Sequence, residues 1–173
     1  MSPEVVVAED DVIAVRASDV AELKRRASTT PLRRSRVCAH GDSSDPLHEM
    51  VIALDRDTYV RPHKHRGKTE SFHVIEGSAD VVVFDDDGRV REVVELGEYA
   101  TGRAFYYRLN VAAFHTVLVR SQELVIHETT NGPFRPDDAV FADWAPAADD
   151  TGARAAYLTE LDERVREHLT SAR

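Results

Sequence analysis

The sequence predicts a mainly β fold: one antiparallel sandwich or barrel, with a short N-terminal helix and a C-terminal helix. Three observations carry this. From Met50 to about residue 130 the chain is a series of short β-branched and aromatic runs broken by turn residues, with no helices between them. The segment "DDDG" at 85–88 separates Val81–Phe84 from Val90–Val94, which is a hairpin signal. Leu158, Leu161, Val165 and Leu169 recur at helical spacing near the end.

The elements follow in order. "SDVAELKRRAS" at 18–28 reads as a short helix capped by Ser18 or Asp19, with Val20 and Leu23 on one face and Pro31 soon after. "RRSRVCAHGDSSDPLH" reads as a polar, loop-like connection containing Gly41 and Pro46. Strands are expected in "EMVIALDRDTYV", "SADVVVF", "FYYRL", "FHTVLV" and "ELVIHETT". Residues 131–150 hold too many prolines for a central strand. They are expected to wrap the barrel, anchored by Phe134, Phe141 and Trp144. The apolar stripe of "TGARAAYLTELDERVREHL" is expected to serve as core or dimer contact. The organisation expected is an extension over 1–34, a barrel with its wrapping tail over 35–146, and a helix over 147–173.

Composition narrows the function. The 173 residues are 42% hydrophobic and 31% charged, a globular balance sufficient for a core. The net charge of −9 opposes nucleic-acid binding, because nothing offsets repulsion from phosphates. A single cysteine, Cys38, excludes an intrachain disulfide framework and a multi-cysteine zinc site. The N-terminus lacks a basic start followed by an apolar run, and no apolar run approaches the ~20 residues needed to span a bilayer. A cytoplasmic protein with no membrane partner is expected.

The chemistry concentrates in "YVRPHKHRGKTESFHVIEGSADVVVF", residues 59–84. Five of the eight histidines fall between 59 and 130. His63 and His65 are two apart, which on a strand places both rings on one face. Glu70 follows after a turn at Gly67, Gly77 marks a further turn, and an antiparallel barrel can bring His115 alongside. Three imidazoles and a carboxylate suit one divalent transition metal, with iron, zinc, manganese and nickel all compatible. His73 has the opposite parity to Glu70 and is expected to point away. Arg61 and Tyr59 share the parity of His63 and His65, and Lys68 sits on the turn beside Glu70. Arg61 and Lys68 are candidate anion contacts, and Tyr59 is a candidate substrate-fixing hydroxyl. Tyr107 lies on the strand leading to His115 and offers a proton-transfer hydroxyl. His127 and Glu128 are adjacent, so alternation allows only one to face inward as an acid–base group. Arg36, Cys38 and His40 can cover the mouth of the barrel, or of a partner subunit's barrel, and Arg36 and His40 are candidate substrate contacts.

The order H-x-H, four residues, Glu, six residues, Gly, then a distant His resembles the metal-binding motifs of the cupin superfamily, small jelly-roll barrels. "RLNVAAFH" departs from the pattern, lacking the usual proline and glycine before its histidine. "SRVCAH", "HEMVIAL", "TYVRPHKHRGKTESFHVIEGSADVVVFDDDG", "FYYRL", "FHTVL", "HETTNGPF" and "FADWAP" further resemble the WbuC family of cupin-fold metalloproteins, over about residues 35–146. The resemblance implies a single cupin barrel with a bound metal, in a family found among genes for surface polysaccharide and other sugar-derived products. It implies no reaction. The expectation is a metal-dependent enzyme of biosynthesis acting on a small anionic or sugar-derived metabolite by isomerase, epimerase or lyase chemistry. The alternatives are an Fe(II)-dependent oxygenase, a non-catalytic metal-dependent small-ligand binder, and a barrel stapled by its metal. Cupin barrels commonly pair through their sheets, so a homodimer with exchanged N-terminal strands is expected.

Overall fold

A computed structural model describes residues 4–8 and 10–171. The chain forms β1 (Val5–Val7), α1 (Ala17–Ala27), β2 (Arg34–Cys38), β3 (Leu47–Asp55), β4 (His63–His65) and β5 (Glu70–Glu76). It continues through β6 (Ser78–Phe84), β7 (Val90–Gly97), β8 (Tyr106–Leu109), β9 (Phe114–Val119), β10 (Glu123–Asn131), β11 (Ala139–Phe141) and α2 (Thr151–Ser171). The first three residues of the expected extension and the last two of the expected helix lie outside the described residues. No helix of the described residues is long and apolar enough to cross a membrane.

Two sheets face one another. One has the order β1-β2-β3-β10-β5-β8 and the other β11-β4-β9-β6-β7. All pairings are antiparallel except β1 with β2, where Val5, Val6 and Val7 lie beside Arg36, Val37 and Cys38 of the same chain. Between the sheets, Ile52, Phe72, Val74, Val81, Val83 and Ile126 form the main core. Strand alternation supplies this layer directly, since every second residue of each strand points inward.

Each sheet also has an outer layer. Val20, Leu23 and Ala27 of α1 pack on Ala53 and Val125 of the first sheet. Leu161 and Val165 of α2 pack on Val82, Phe84, Phe114 and Leu118 of the second. β6 is therefore buried on both faces, which is why it reads as an unbroken apolar run rather than an alternating one. The α2 stripe is core of its own chain. Arg120 adds a polar clamp, its Nε on Asp80 at 2.7 Å and its Nη1 on Asp162 of α2.

Several local expectations need correction. The loop-like segment after Pro31 contains β2. Its alternate residues Arg34 and Arg36 are charged, which hides the strand period. α1 is capped two to three residues earlier than expected: Arg16 is the N-cap, and the Asp19 carboxylate accepts its backbone N–H at 2.7 Å. Trp144 anchors the tail, its ring against Phe84 and Phe114 and its Nε1–H on the Asp86 carbonyl. Phe134 and Phe141 do not anchor it; they remain 57% and 51% exposed. The predicted turns do form at positive φ, +68° at Gly67 and +84° at Gly77. At Gly77 a Cβ would also lie 2.3 Å from the Glu123 carbonyl oxygen, so only glycine fits.

Because Leu161 is fully buried under the second sheet, Leu161→Ala is expected to destabilise the fold by about 2–5 kcal/mol in denaturant unfolding. Loss below about 0.5 kcal/mol would show that α2 is not part of the folded unit.

Candidate metal centre

Four side chains converge between the sheets. His63 and His65 project from the same face of β4, Glu70 opens β5, and His115 lies on β9 directly opposite His63. One donor atom from each falls within 4.8 Å of all the others. Glu70 spans the cluster, with Oε2 3.2 Å from His65 Nε2 and Oε1 3.1 Å from His115 Nε2. The Nδ1–H groups of His63 and His115 donate to the Arg61 and Ala113 carbonyls at 2.9 and 3.1 Å. Those bonds fix the rings and aim each Nε2 inward, as is usual for metal-ligating imidazoles.

The electrostatics suit a cation. Burial, reinforced by His115, pushes His63 down to about 4, so it presents a neutral imidazole lone pair at pH 7. Burial alone would raise Glu70, but the imidazoles of His115 and His65 outweigh it and hold the carboxylate ionised. For His115 burial works downward, and the Glu70 carboxylate reverses the shift. A proton and a metal ion would thus compete for the same lone pairs.

The cluster opens on a cavity of about 440 Å³. Phe72, Val117 and Ile126 give it apolar walls, and β2 adds Arg34, Arg36 and Cys38. Glu128 on β10 also faces it, opposite Phe72 and Met50. Burial first, and the Glu70 charge second, push Glu128 up to about 8. His40 and His48 stack at 4.0 Å with ring planes 2° apart, both lining the cavity. Burial and then His40 lower the pKa of His48.

Comparison with known proteins adds a frame. Residues 15–96 match a domain family of unknown function, DUF6016, a span that includes His63, His65 and Glu70. No curated protein matches the sequence. Among solved structures, protein SO0799 from Shewanella oneidensis aligns at TM-score 0.52 and 11% identity, over 61% of this chain and 72% of its own. Oxalate oxidase in complex with the substrate analogue glycolate aligns at 0.51 and 13% identity, over 68% of this chain and 59% of its own. KdgF from Halomonas sp. aligns at 0.47 and 17% identity, over 63% of this chain and 86% of its own. For the first two the likeness is one of fold.

The fold is a cupin jelly roll.

Within this cupin barrel the other candidate residues divide. Arg36, His40, Lys68 and Glu128 line the cavity. Lys68 is already engaged: its Nζ donates to the Pro133 carbonyl at 2.7 Å and pairs with Asp138 at 3.2 Å, holding the tail rather than standing free. Arg61 and Tyr59 do not reach the cavity. β4 begins only at His63, and Pro62 interrupts the ladder before it, so the parity of His63 does not extend back to them. Arg61 turns outward to the Ala142 carbonyl and the Phe141 ring. Tyr59 donates its hydroxyl to the Pro146 carbonyl at 2.9 Å and packs against Tyr157.

His127 lies on the outer face, 3.5 Å from Glu49. The His127–Glu128 alternative therefore resolves in favour of Glu128. Tyr107 points into the core, packs against Phe72 with the rings tilted, and is not part of the cavity wall. His73 is exposed against Phe105. Cavity residues that the sequence reading missed include Glu4, Arg34, His48 and Arg135. The period-2 spacing Arg34, Arg36, Cys38 was the available signal.

Because Glu128 keeps its proton in the folded state up to about pH 8 but loses it near 4.5 when unfolded, folding binds a proton between those values. Stability of the chelator-treated protein should then fall as pH rises through that window. Glu128→Gln is expected to raise its Tm at pH 8 by about 2–4 °C or more and to change it little at pH 4. Equal effects at both pH values in thermal unfolding would contradict a protonated Glu128.

Proposed function

We propose that this cupin is a metal-dependent enzyme that moves a proton on a small anionic or sugar-derived metabolite, giving isomerase, epimerase or lyase chemistry. One observation carries the reading: a four-donor cluster opens on the same cavity as the Glu128 carboxyl. The resemblance of the motifs to the WbuC family belongs to this reading.

His63, His65 and His115 would hold the metal through Nε2, and Glu70 through its carboxylate. A divalent transition metal there supplies a Lewis acid for a carbonyl or hydroxyl pair of the substrate. Glu128 is the general acid or base: protonated it delivers a proton, ionised it accepts one. The apolar walls at Phe72, Val117 and Ile126 keep water from competing for that proton. His40 and Arg36 orient the substrate. A 440 Å³ cavity fits a metabolite rather than a polymer. The barrel at 35–146 carries all of these groups, with 1–34 and 147–173 as flanking extensions. A cytoplasmic homodimer completes the reading; because β1 pairs within its own chain, the dimer needs no strand exchange.

Protein purified without oxygen is expected to carry about one metal per chain by elemental analysis. His63→Ala with Glu70→Ala should abolish it, and retention of one equivalent would refute the ligand set. Oxygen uptake by iron-loaded protein on adding candidate substrates would favour the Fe(II)-dependent oxygenase instead. Light scattering after size exclusion should give twice the chain mass; a monomer mass would remove the dimer.

A further inference from the structure

Arg34 and Arg36 occupy alternate positions of β2 and line the cavity together. Glu4, which lines the same cavity, and Glu128 both act on Arg34 electrostatically. The Arg36 Nε is buried without a hydrogen-bond partner. Burial, and then the neighbouring Arg36 charge, pull the Arg34 pKa down against the opposing carboxylates of Glu4 and Glu128, so two like charges share one half-buried wall. Such an arrangement costs free energy unless an anion neutralises it. A guanidinium pair presents donors in a planar fork that matches carboxylate or phosphate oxygens.

Their place in the cavity is set by register. Glu70 lies opposite Thr130, and Glu128, two residues earlier on β10, lies opposite Phe72. Ile126 is two residues earlier again, opposite Ile52, which lies opposite Arg36. Each two-residue step is about 6.7 Å along a strand. Glu128 thus stands between the donor cluster and the arginines, and it is within electrostatic reach of Glu70 and His115 on one side and Arg36 and Arg34 on the other.

We propose that Arg34 and Arg36 are the seat for a terminal oxyanion of the substrate, carboxylate or phosphate, whose other end reaches the donor cluster past Glu128. The direction of the substrate rests on the metal-dependent reading above; the seat itself rests on the arginines. The substrate is then a compact molecule with an anionic tail, not a neutral sugar.

The test is calorimetric titration of metal-loaded, full-length protein with succinate, inorganic phosphate and glucose. Succinate or phosphate should bind at least about tenfold tighter than glucose, a difference of about 1.4 kcal/mol. Binding of succinate alone assigns a carboxylate tail, and of phosphate alone a phosphoryl tail. Arg34→Gln with Arg36→Gln should weaken the oxyanion at least about tenfold while leaving metal content unchanged. Arg36→Lys, which keeps the charge and loses the fork, should fall between and serves if the double variant does not fold. Unchanged oxyanion binding in folded variants, or no preference over glucose, overturns the seat. Protein that takes up no metal yet binds oxyanions through these arginines removes the metal-dependent reading and leaves the seat standing.

Discussion

The Glu70 carboxylate is the constraint around which the barrel is arranged. It belongs to one sheet and is held by imidazoles from the other, at 3.2 Å from His65 and 3.1 Å from His115. A buried carboxylate without partners would cost several kcal/mol. The partners must therefore be supplied by β4 and β9, and those strands must sit opposite β5 with little freedom. The Nδ1 bonds of His63 and His115 to backbone carbonyls transmit this requirement into the chain itself. The polar centre thus fixes how two apolar sheets face one another, which hydrophobic burial alone does not specify.

The surrounding layers divide the work. The main core between the sheets is apolar and shares its space with the cavity. The helices close the outer faces, and α2 makes β6 a strand with no exposed side. This permits one region of the interior to remain polar and open, because the sheet opposite it is held from behind. The charges of β2 are carried by a strand near the edge of its sheet, away from the packing of β6 and β9.

Much of this was legible in the sequence, and the illegible parts share a cause. The hairpin at 85–88, the C-terminal helix, the glycine turns and the shared face of His63 and His65 follow from local rules: turn chemistry, helical spacing and strand parity; Glu70 and His115 join them through the resemblance to cupin motifs. β2 was read as loop because its inward residues are arginines, so the apolar alternation that marks a strand is absent where the strand faces a cavity. Arg61 and Tyr59 were misplaced for the opposite reason. Parity was carried across Pro62, beyond the strand to which it applied. Phe134 and Phe141 are aromatic, yet the tail is fixed by Trp144 and by backbone pairing at β11. Nothing in the sequence distinguished His127 from Glu128. That choice belongs to the register of β10 against β3 and β5.

The pairing at β11 has a further consequence. β4 holds two of the four donors, yet it meets β9 only at His63 opposite His115, while β11 runs along its whole length from His65 to Phe141. The segment that presents the imidazoles is therefore secured chiefly by a stretch of chain more than seventy residues away. Affinity for an ion at this cluster would accordingly be shared with the proline-rich tail: changes in the length or rigidity of 131–150 would act on β4 through β11 without touching a single donor.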